Sequence, residues 1–283
     1  MKVLISGHLG FIGRHLAAAL ADNRYQVIGI DAPQDMRRVL LDNLTRYDLA
    51  IHCAALVNGR ESIEGQPAYL AAYNLQLDGL FFEWALRAKP GRIVYISSSA
   101  AYPTIMQTDA TWLMREDWAL PAELADQTYG MTKVIGERLA CGVREAGVPV
   151  TVVRPFSGYG SDQDPRYPFP AMIARAKARE DPFTVWGDGQ QVRDFIHVED
   201  ICGAILALVR EGIDGPVNLG TGVPTSMDQL ARLCMELAGY DAPIRHLSDK
   251  PAGVRYRVAD PTLLRQHYAP KISLAEGVER AVR

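Results

Sequence analysis

Cysteine is scarce: Cys53, Cys141, Cys202 and Cys234 are the four in 283 residues, standing 88, 61 and 32 positions apart. None belongs to a CxxC or has a paired histidine nearby, so neither a metal site nor a disulfide framework is expected, and reduced thiols serving as small apolar side chains are. Long apolar runs are missing too. Each is broken by charge well before the roughly eighteen residues that cross a bilayer. The opening MKVLISGHLGFIG turns glycine-rich at once, as a buried strand does and a secretory leader does not. A cytoplasmic protein without a membrane partner is expected. A basic excess is absent as well, since 30 Lys+Arg against 33 Asp+Glu give a formal net charge of -3. No general field draws such a chain to nucleic acid, and any anion it binds must be held locally. Internal repeats and low-complexity tracts are also absent.

What is present, 48% hydrophobic and 22% charged residues, is the composition of a folded chain with room for one large or two small domains. Short β-rich runs, KVLIS (2–6), QVIGI (26–30), DLAIH (48–52), RIVYIS (92–97) and PVTVV (149–153), alternate with helical patterns over 11–22, 67–88 and 123–146. This alternation predicts an α/β fold, a doubly wound parallel sheet, over residues 1–154. After Arg154, glycine, proline and aromatic residues rise. Helices near 168–179, 199–211 and 226–238, with strands at 183–186 and 216–219, predict a smaller mixed α/β lobe over 155–283. Part of it, within 183–219, is expected to return to the main sheet, the strand at 217–219 above all. Only sixteen residues separate Asp31 from Tyr47, so 35–45 has room for about two or three helical turns.

Gly7-His8-Leu9-Gly10-Phe11-Ile12-Gly13 follows the first strand directly and opens the first helix, the context a dinucleotide-binding turn requires. In a GxxGxxG turn, Gly7 and Gly10 let backbone N–H groups approach a pyrophosphate and Gly13 lets helix pack close to strand. The helix N-terminus then favours the anion. Phe11 and Ile12 count with the cofactor-binding positions of this turn. A glycine-rich turn without a ligand is the plain alternative. Asp31, eighteen residues beyond Gly13, ends the second strand where a carboxylate accepts hydrogen bonds from an adenosine ribose. A 2′-phosphate would meet like charge there. NAD is therefore the expected cofactor, and Arg37 and Arg38 keep NADP as the alternative.

Tyr129-Gly-Met-Thr-Lys133 opens the helix predicted over 123–146, and i, i+4 spacing puts phenol and ammonium on one face. A nearby ammonium favours phenolate and so lowers a tyrosine's pKa. Tyr129 is thus a candidate general acid/base, with Lys133 tuning it and holding a nicotinamide ribose. Alone, this spacing is common by chance. Ser97-Ser98-Ser99 adds hydroxyls at the exit of the fourth strand, the edge where doubly wound sheets bind ligands. One of them is placed to share a substrate proton with Tyr129; a polar strand exit is the plain alternative.

GHLGFIG (7–13), Asp31, HCAALV (52–57), YNLQLDGL (73–80), SSSAAYP (97–103), YGMTK (129–133), RPFSGYG (154–160), GDGQQVRDFIHVEDI (187–201) and KPAGVRYRVADP (250–261) follow in one order. Through them the chain resembles, over nearly its whole length, the extended short-chain dehydrogenase/reductase family, the NAD-dependent nucleotide-sugar epimerases and dehydratases. The resemblance implies a Rossmann-type NAD-binding domain over 1–154 and a nucleotide-sugar lobe over 155–283. It implies catalysis by Ser98, Tyr129 and Lys133, Asn74 bracing the nicotinamide side, and Ala54 and Ala55 lining the cofactor. Ser99 and Ser157 become substrate contacts, Ser157 standing where the family commonly has asparagine. Arg193 matches the arginine that grips the sugar-nucleotide pyrophosphate, a task a planar guanidinium suits. Lys250 and Arg255 match further cationic positions of that clamp, although KPAG replaces a more usual arginine-led start. His197 and Asp200 are expected to be structural. A homodimer joined through helices 67–88 and 123–146 is implied, with Phe81, Phe82 and Trp84 either on that face or packed on the sheet.

In this family hydride passes from a sugar carbon to the nicotinamide while the tyrosine takes the hydroxyl proton, giving a 4-keto sugar; the next step distinguishes members. Dehydratases usually carry an Asp-Glu pair just after the catalytic Ser/Thr, where this chain has Ser99 and Ala100. GDP-fucose synthases and GDP-mannose 3,5-epimerases place a cysteine where Ala100 stands, and UDP-glucuronate decarboxylases generally carry a glutamate after the catalytic Ser/Thr. These absences disfavour dehydration, inversion at C3 or C5, and decarboxylation. Epimerisation at C4 and 4-keto reduction remain. Asp31, through NAD, favours the epimerase, which retains its cofactor through a cycle. An NAD(P)H-dependent nucleotide-4-keto-sugar reductase is the alternative. A non-catalytic NAD or nucleotide-sugar sensor is the alternative of another class, against which the presence of Ser98, Tyr129 and Lys133 speaks.

Overall fold

The computed structural model describes residues 1–31, 36–37, 40, 44–57, 65–108, 112–118 and 120–283. Its first half runs β1 (Lys2–Ser6), α1 (Phe11–Asp22), β2 (Gln26–Ile30), β3 (Leu49–His52), α2 (Pro67–Ala88), β4 (Ile93–Ile96), α3 (Gln127–Glu145) and β5 (Val150–Pro155). The second half adds β6 (Ser157–Tyr159), α4 (Pro168–Lys177), β7 (Phe183–Trp186), β8 (Val192–His197), α5 (Val198–Glu211), β9 (Val217–Leu219) and β10 (Pro224–Ser226). It closes with α6 (Met227–Leu237), β11 (Ile244–Leu247), β12 (Tyr256–Arg257) and, after a single helical turn at Thr262–Arg265, α7 (Leu274–Val282). The expected helix over 35–45 lies largely outside the described residues, as does Arg38, but Met36, Leu40 and Tyr47 are buried in the core.

A six-stranded sheet in the order β2-β1-β3-β4-β5-β9 is parallel throughout. Successive strand residues point to opposite faces, and the register lines them up. Leu4, Ala50, Ile93, Tyr95 and Val150 join one core with Leu77, Phe81 and Trp84 of α2 and Ala140 and Val143 of α3. Val3, Leu49, Ile51, Val94 and Val153 join the other with Leu16 and Leu20 of α1 and Ile201 and Ile205 of α5. Cover on both faces is why these strands read as unbroken apolar runs. Phe81, Phe82 and Trp84 are 0, 2 and 0% exposed. They pack against the sheet, which removes them from any surface α2 offers to a second copy.

The strand β9 lies beside β5, with Val153 opposite Val217 and Pro155 opposite Leu219. The other late strands form smaller sheets, β10-β8-β12 with β6 also beside β8, and β11 beside β7. Helices α4, α6 and α7 cover them around Phe169, Phe183, Leu230 and Val278. The sequence pattern does not predict β6, β8, β10, β11, β12 or α7. Strands of two or three residues, as β6, β10 and β12 are, are too short to show a period. All four cysteines are free, Cys202 and Cys234 buried and the other two partly so. Among the described residues, no helix is long and apolar enough to cross a membrane.

Candidate active site

The glycine turn joins β1 to α1 at the C-terminal edge of the sheet. Gly7 sits at φ +72, and a Cβ there would stand 2.5 Å from the Ala54 backbone nitrogen; one at Gly13 would stand 2.0 Å from the Gly7 carbonyl oxygen. Neither position admits a side chain. Gly10 is the N-cap of α1 and supplies no side-chain cap, so first-turn N–H groups are left for an anion. Phe11 and Ile12 open the helix with their side chains against the core beneath. Asp31 follows β2, and its carboxylate accepts the Leu9 N–H at 2.8 Å while remaining 34% exposed. Ala54 and Ala55 follow β3. Asn74 of α2 clamps that loop with both ends of its amide, accepting from Leu56 N–H at 2.7 Å and donating to the Leu56 carbonyl at 3.2 Å. A cradle that a Cβ would fill, an uncapped helix start and a part-exposed carboxylate at the end of β2 fit a dinucleotide.

Three serines leave β4 with different tasks. Ser97 donates to Glu137 Oε1 at 2.5 Å. Ser98 Oγ accepts the Ala100 N–H at 3.1 Å and draws the pKa of the Tyr129 phenol down. Ser99 is buried in the single turn Ser99–Ala101, onto which α3 docks through Asp126 N–H and the Ala100 carbonyl at 2.9 Å. Lys133 lies one turn beyond Tyr129, its Nζ 5.9 Å from the Tyr129 ring centre and 5.0 Å from that of Tyr95.

The structure therefore brings Ser98, Tyr129 and Lys133 together, but not with the tuning the spacing predicts. Lys133 donates to the Ile96 carbonyl at 2.9 Å, and burial pushes the Tyr129 phenol up to about 12, with the Ser98 hydroxyl pulling the other way. Burial also moves Lys133 below the ordinary lysine value. Desolvation is the largest effect on the phenol.

Behind the serines stands a network that sequence reasoning missed. Arg154, at the end of β5, makes two bonds to the Glu137 carboxylate at 2.9 and 2.8 Å and a third to the Tyr102 hydroxyl at 2.9 Å. Tyr102 in turn donates to Asn218 of β9 at 2.7 Å. Glu137 was within reach of the sequence, because it stands four residues past Lys133 on the same helix face. Asp126, three residues before Tyr129, pairs with Arg257 of β12 at 2.5 Å.

On the far side of the site the expected cations gather near the turn between β7 and β8. Arg193 spends its guanidinium on carbonyls, those of Val192 and Val254 at 2.8 Å and of Ala252 at 3.3 Å, which draws segment 252–254 onto β8. Arg255 pairs with Asp188 at 2.6 Å in an exposed contact, and Lys250 Nζ stands 5.5 Å over the Trp186 ring. Ser157 pairs with Phe195 in register on β8. His197 caps α5, its Nδ1 accepting Glu199 N–H at 3.2 Å. Asp200 accepts from Tyr268 O–H, Lys271 N–H and Ile272 N–H, a structural task. Asp194, beside Arg193 and fully buried, ties in Thr221, Gly222 and Ala259; its pattern gave no sign of this.

A model of the NAD dependent epimerase/dehydratase family matches residues 3–220. An uncharacterized UDP-glucose epimerase, YtcB, of Bacillus subtilis (strain 168) is 29% identical, covering 100% of this chain and 97% of its own. GDP-mannose 3,5-epimerase 1 of Oryza sativa subsp. indica is 27% identical, covering 98% of this chain and 80% of its own. Among solved structures, UDP-glucuronic acid 4-epimerase from Bacillus cereus in complex with UDP-glucuronic acid and NAD superposes with a TM-score of 0.85 at 25% identity, covering 100% of this chain and 98% of that one. The family model spans most of the chain and the glycine cradle fits the dinucleotide: the chain belongs to the NAD dependent epimerase/dehydratase family, and its cofactor is NAD.

Proposed function

We infer that the protein is an epimerase of nucleotide-diphosphate sugars acting at C4 through a transient 4-keto sugar. The observation that carries this reading is what surrounds Ser98 and Tyr129. The two positions after Ser98 are Ser99 and Ala100, 5 and 6% exposed, and neither supplies the acid or base that dehydration or inversion at C3 or C5 requires. Among the described residues, the carboxylates around the pair are already engaged: Glu137 by Arg154 and Ser97, Asp126 by Arg257, and Asp78 by His52 and Tyr95. One phenol–hydroxyl pair is sufficient for moving a single hydroxyl proton.

Bound NAD supplies a reversible hydride acceptor. Gly7, Gly10, Gly13, Phe11, Ile12, Asp31, Ala54, Ala55 and Asn74 would hold it, and Lys133 would hold its nicotinamide ribose. Tyr129 takes the C4 hydroxyl proton with Ser98 sharing it, and returns it after the keto sugar has turned. Phenolate is the form that accepts, and the positive charge of an oxidised nicotinamide would favour it. Arg193, Lys250 and Arg255 would receive the sugar diphosphate, with Ser99 and Ser157 contacting the sugar. On the same reading the chain is a cytoplasmic homodimer meeting through α2 and α3; a monomeric mass by light scattering excludes that part.

The epimerase reading is tested by NMR of the purified protein with NAD and a panel of UDP- and GDP-hexoses and hexuronates. Interconversion of one C4 pair is expected, and a panel left wholly unconverted refutes the assignment. Loss of NADH absorbance with a 4-keto-6-deoxy sugar nucleotide, without epimerisation, would establish the reductase instead.

A further inference from the structure

Next to the catalytic pair, Ser6, His52, Asp78 and Tyr95 are buried at 0, 1, 2 and 0% exposure and form one chain of hydrogen bonds. Ser6 Oγ lies 2.5 Å from His52 Nδ1, His52 Nε2 lies 3.0 Å from Asp78 Oδ1, and the Tyr95 phenol donates to Asp78 Oδ2 at 2.8 Å. The protons can be placed. Burial moves His52 below its ordinary value, so the ring is neutral; Ser6 donates to Nδ1, and Nε2–H donates to Asp78. The carboxylate then has two donors and no proton of its own.

A buried negative charge needs compensation. The ammonium of Lys133, 5.0 Å over the Tyr95 ring, supplies it. A phenol that donates to a carboxylate gains electron density in its ring, and a cation over that ring is held more firmly. The catalytic helix is shaped to this stack. At Gly136, one turn past Lys133, a Cβ would stand 1.8 Å from the Tyr95 hydroxyl and 2.6 Å from Asp78 Oδ2.

We propose that Asp78 is a positioning residue for the catalytic pair: bonded to Tyr95 and facing the Lys133 ammonium across the Tyr95 ring, it fixes the buried charge balance in which the Tyr129 phenol ionises. This rests on Tyr129 being the acid/base group. The other titratable groups acting on this spot are Cys53 after β3, His52, Tyr95 and, on α3, Glu137. Burial pushes the Cys53 thiol up, which keeps it neutral, and Arg154 offsets Glu137. Asp78 is left as the anion that Tyr129 experiences, raising the phenol's pKa.

Asp78→Asn removes the charge and keeps the shape. A flipped His52 tautomer then accepts the amide N–H at Nε2 and gives its Nδ1–H to Ser6, so every group keeps a partner. In the NAD-loaded protein, Tyr129 is titrated by phenolate difference absorbance against Tyr129→Phe, with no sugar present. The expected result is a titration moved to lower pH by about one unit, with near-ultraviolet circular dichroism unchanged. Asp78→Thr, a second uncharged replacement, should move it the same way. A titration that stays in place or moves up overturns the proposal, as does loss of folding in both variants, which would make Asp78 purely structural. A failure of the C4 assignment appears separately, in the wild-type NMR panel.

Discussion

The sheet edge around Tyr129 and the turn between β7 and β8 hold their charges in opposite ways. At the edge, Arg154 and Glu137 are 4 and 12% exposed and joined by two parallel bonds. At the turn, Arg255 and Asp188 are 51 and 61% exposed. Breaking a buried pair leaves an uncompensated charge and costs about 3–5 kcal/mol, whereas an exposed pair contributes about 0–1 kcal/mol. The difference suits the work proposed for each region. On the proposed function, proton and hydride transfer would tolerate little misplacement, and the groups that would carry them sit in a frame that resists displacement. On the same proposal a diphosphate would displace Asp188 from Arg255, an exposed and weak partner.

The largest effect that would break this comparison is at Tyr129. Tyr129→Phe should lower turnover by about 10³–10⁴-fold while NAD affinity, measured by calorimetry, stays within a factor of a few. Full turnover in that variant would remove the phenol from the chemistry. Next, Glu137→Ala should cost about 3–5 kcal/mol in denaturant unfolding, because it strands the Arg154 guanidinium; a loss below about 1 kcal/mol would show that the edge is no stiffer than the turn. Ser98→Ala removes a hydroxyl that lowers the Tyr129 pKa, so the folded-state value rises and the acidic limb of the pH–turnover profile should move to higher pH. A limb that moves down contradicts the geometry. The smallest effect belongs to the turn. Arg255→Ala should change stability by no more than about 1 kcal/mol and raise the KM for sugar nucleotide with kcat little altered.

The two regions also differ in how far the sequence discloses them. Strands through β5 are visible because burial on both faces makes them apolar runs, and Tyr129, Lys133 and the serines 97–99 because strand exits and helical spacing are local; the choice of Ser98 among them comes from the family resemblance. Spacing shows that Tyr129 and Lys133 share a face. It does not show that the Ile96 carbonyl takes the ammonium, which is a contact between helix and strand. In the second half of the chain, Arg257 reaches Asp126 across 131 residues from a strand two residues long. Arg193 meets carbonyls about sixty residues away. Neither has a local period or motif from which a partner can be read.

The place of β9 limits how the chain can be divided. A fragment ending near Arg154 would keep the glycine turn and Tyr129, yet would leave β5 as an open parallel edge with unpaired N–H and C=O groups, a template for pairing with another chain. It would also strip Asn218 from Tyr102 and Asp214 from Arg92. Such a piece should aggregate rather than bind dinucleotide alone. An exchange of second halves between relatives would therefore have to carry β9 with the sheet it completes, and to rejoin the chain on either side of it.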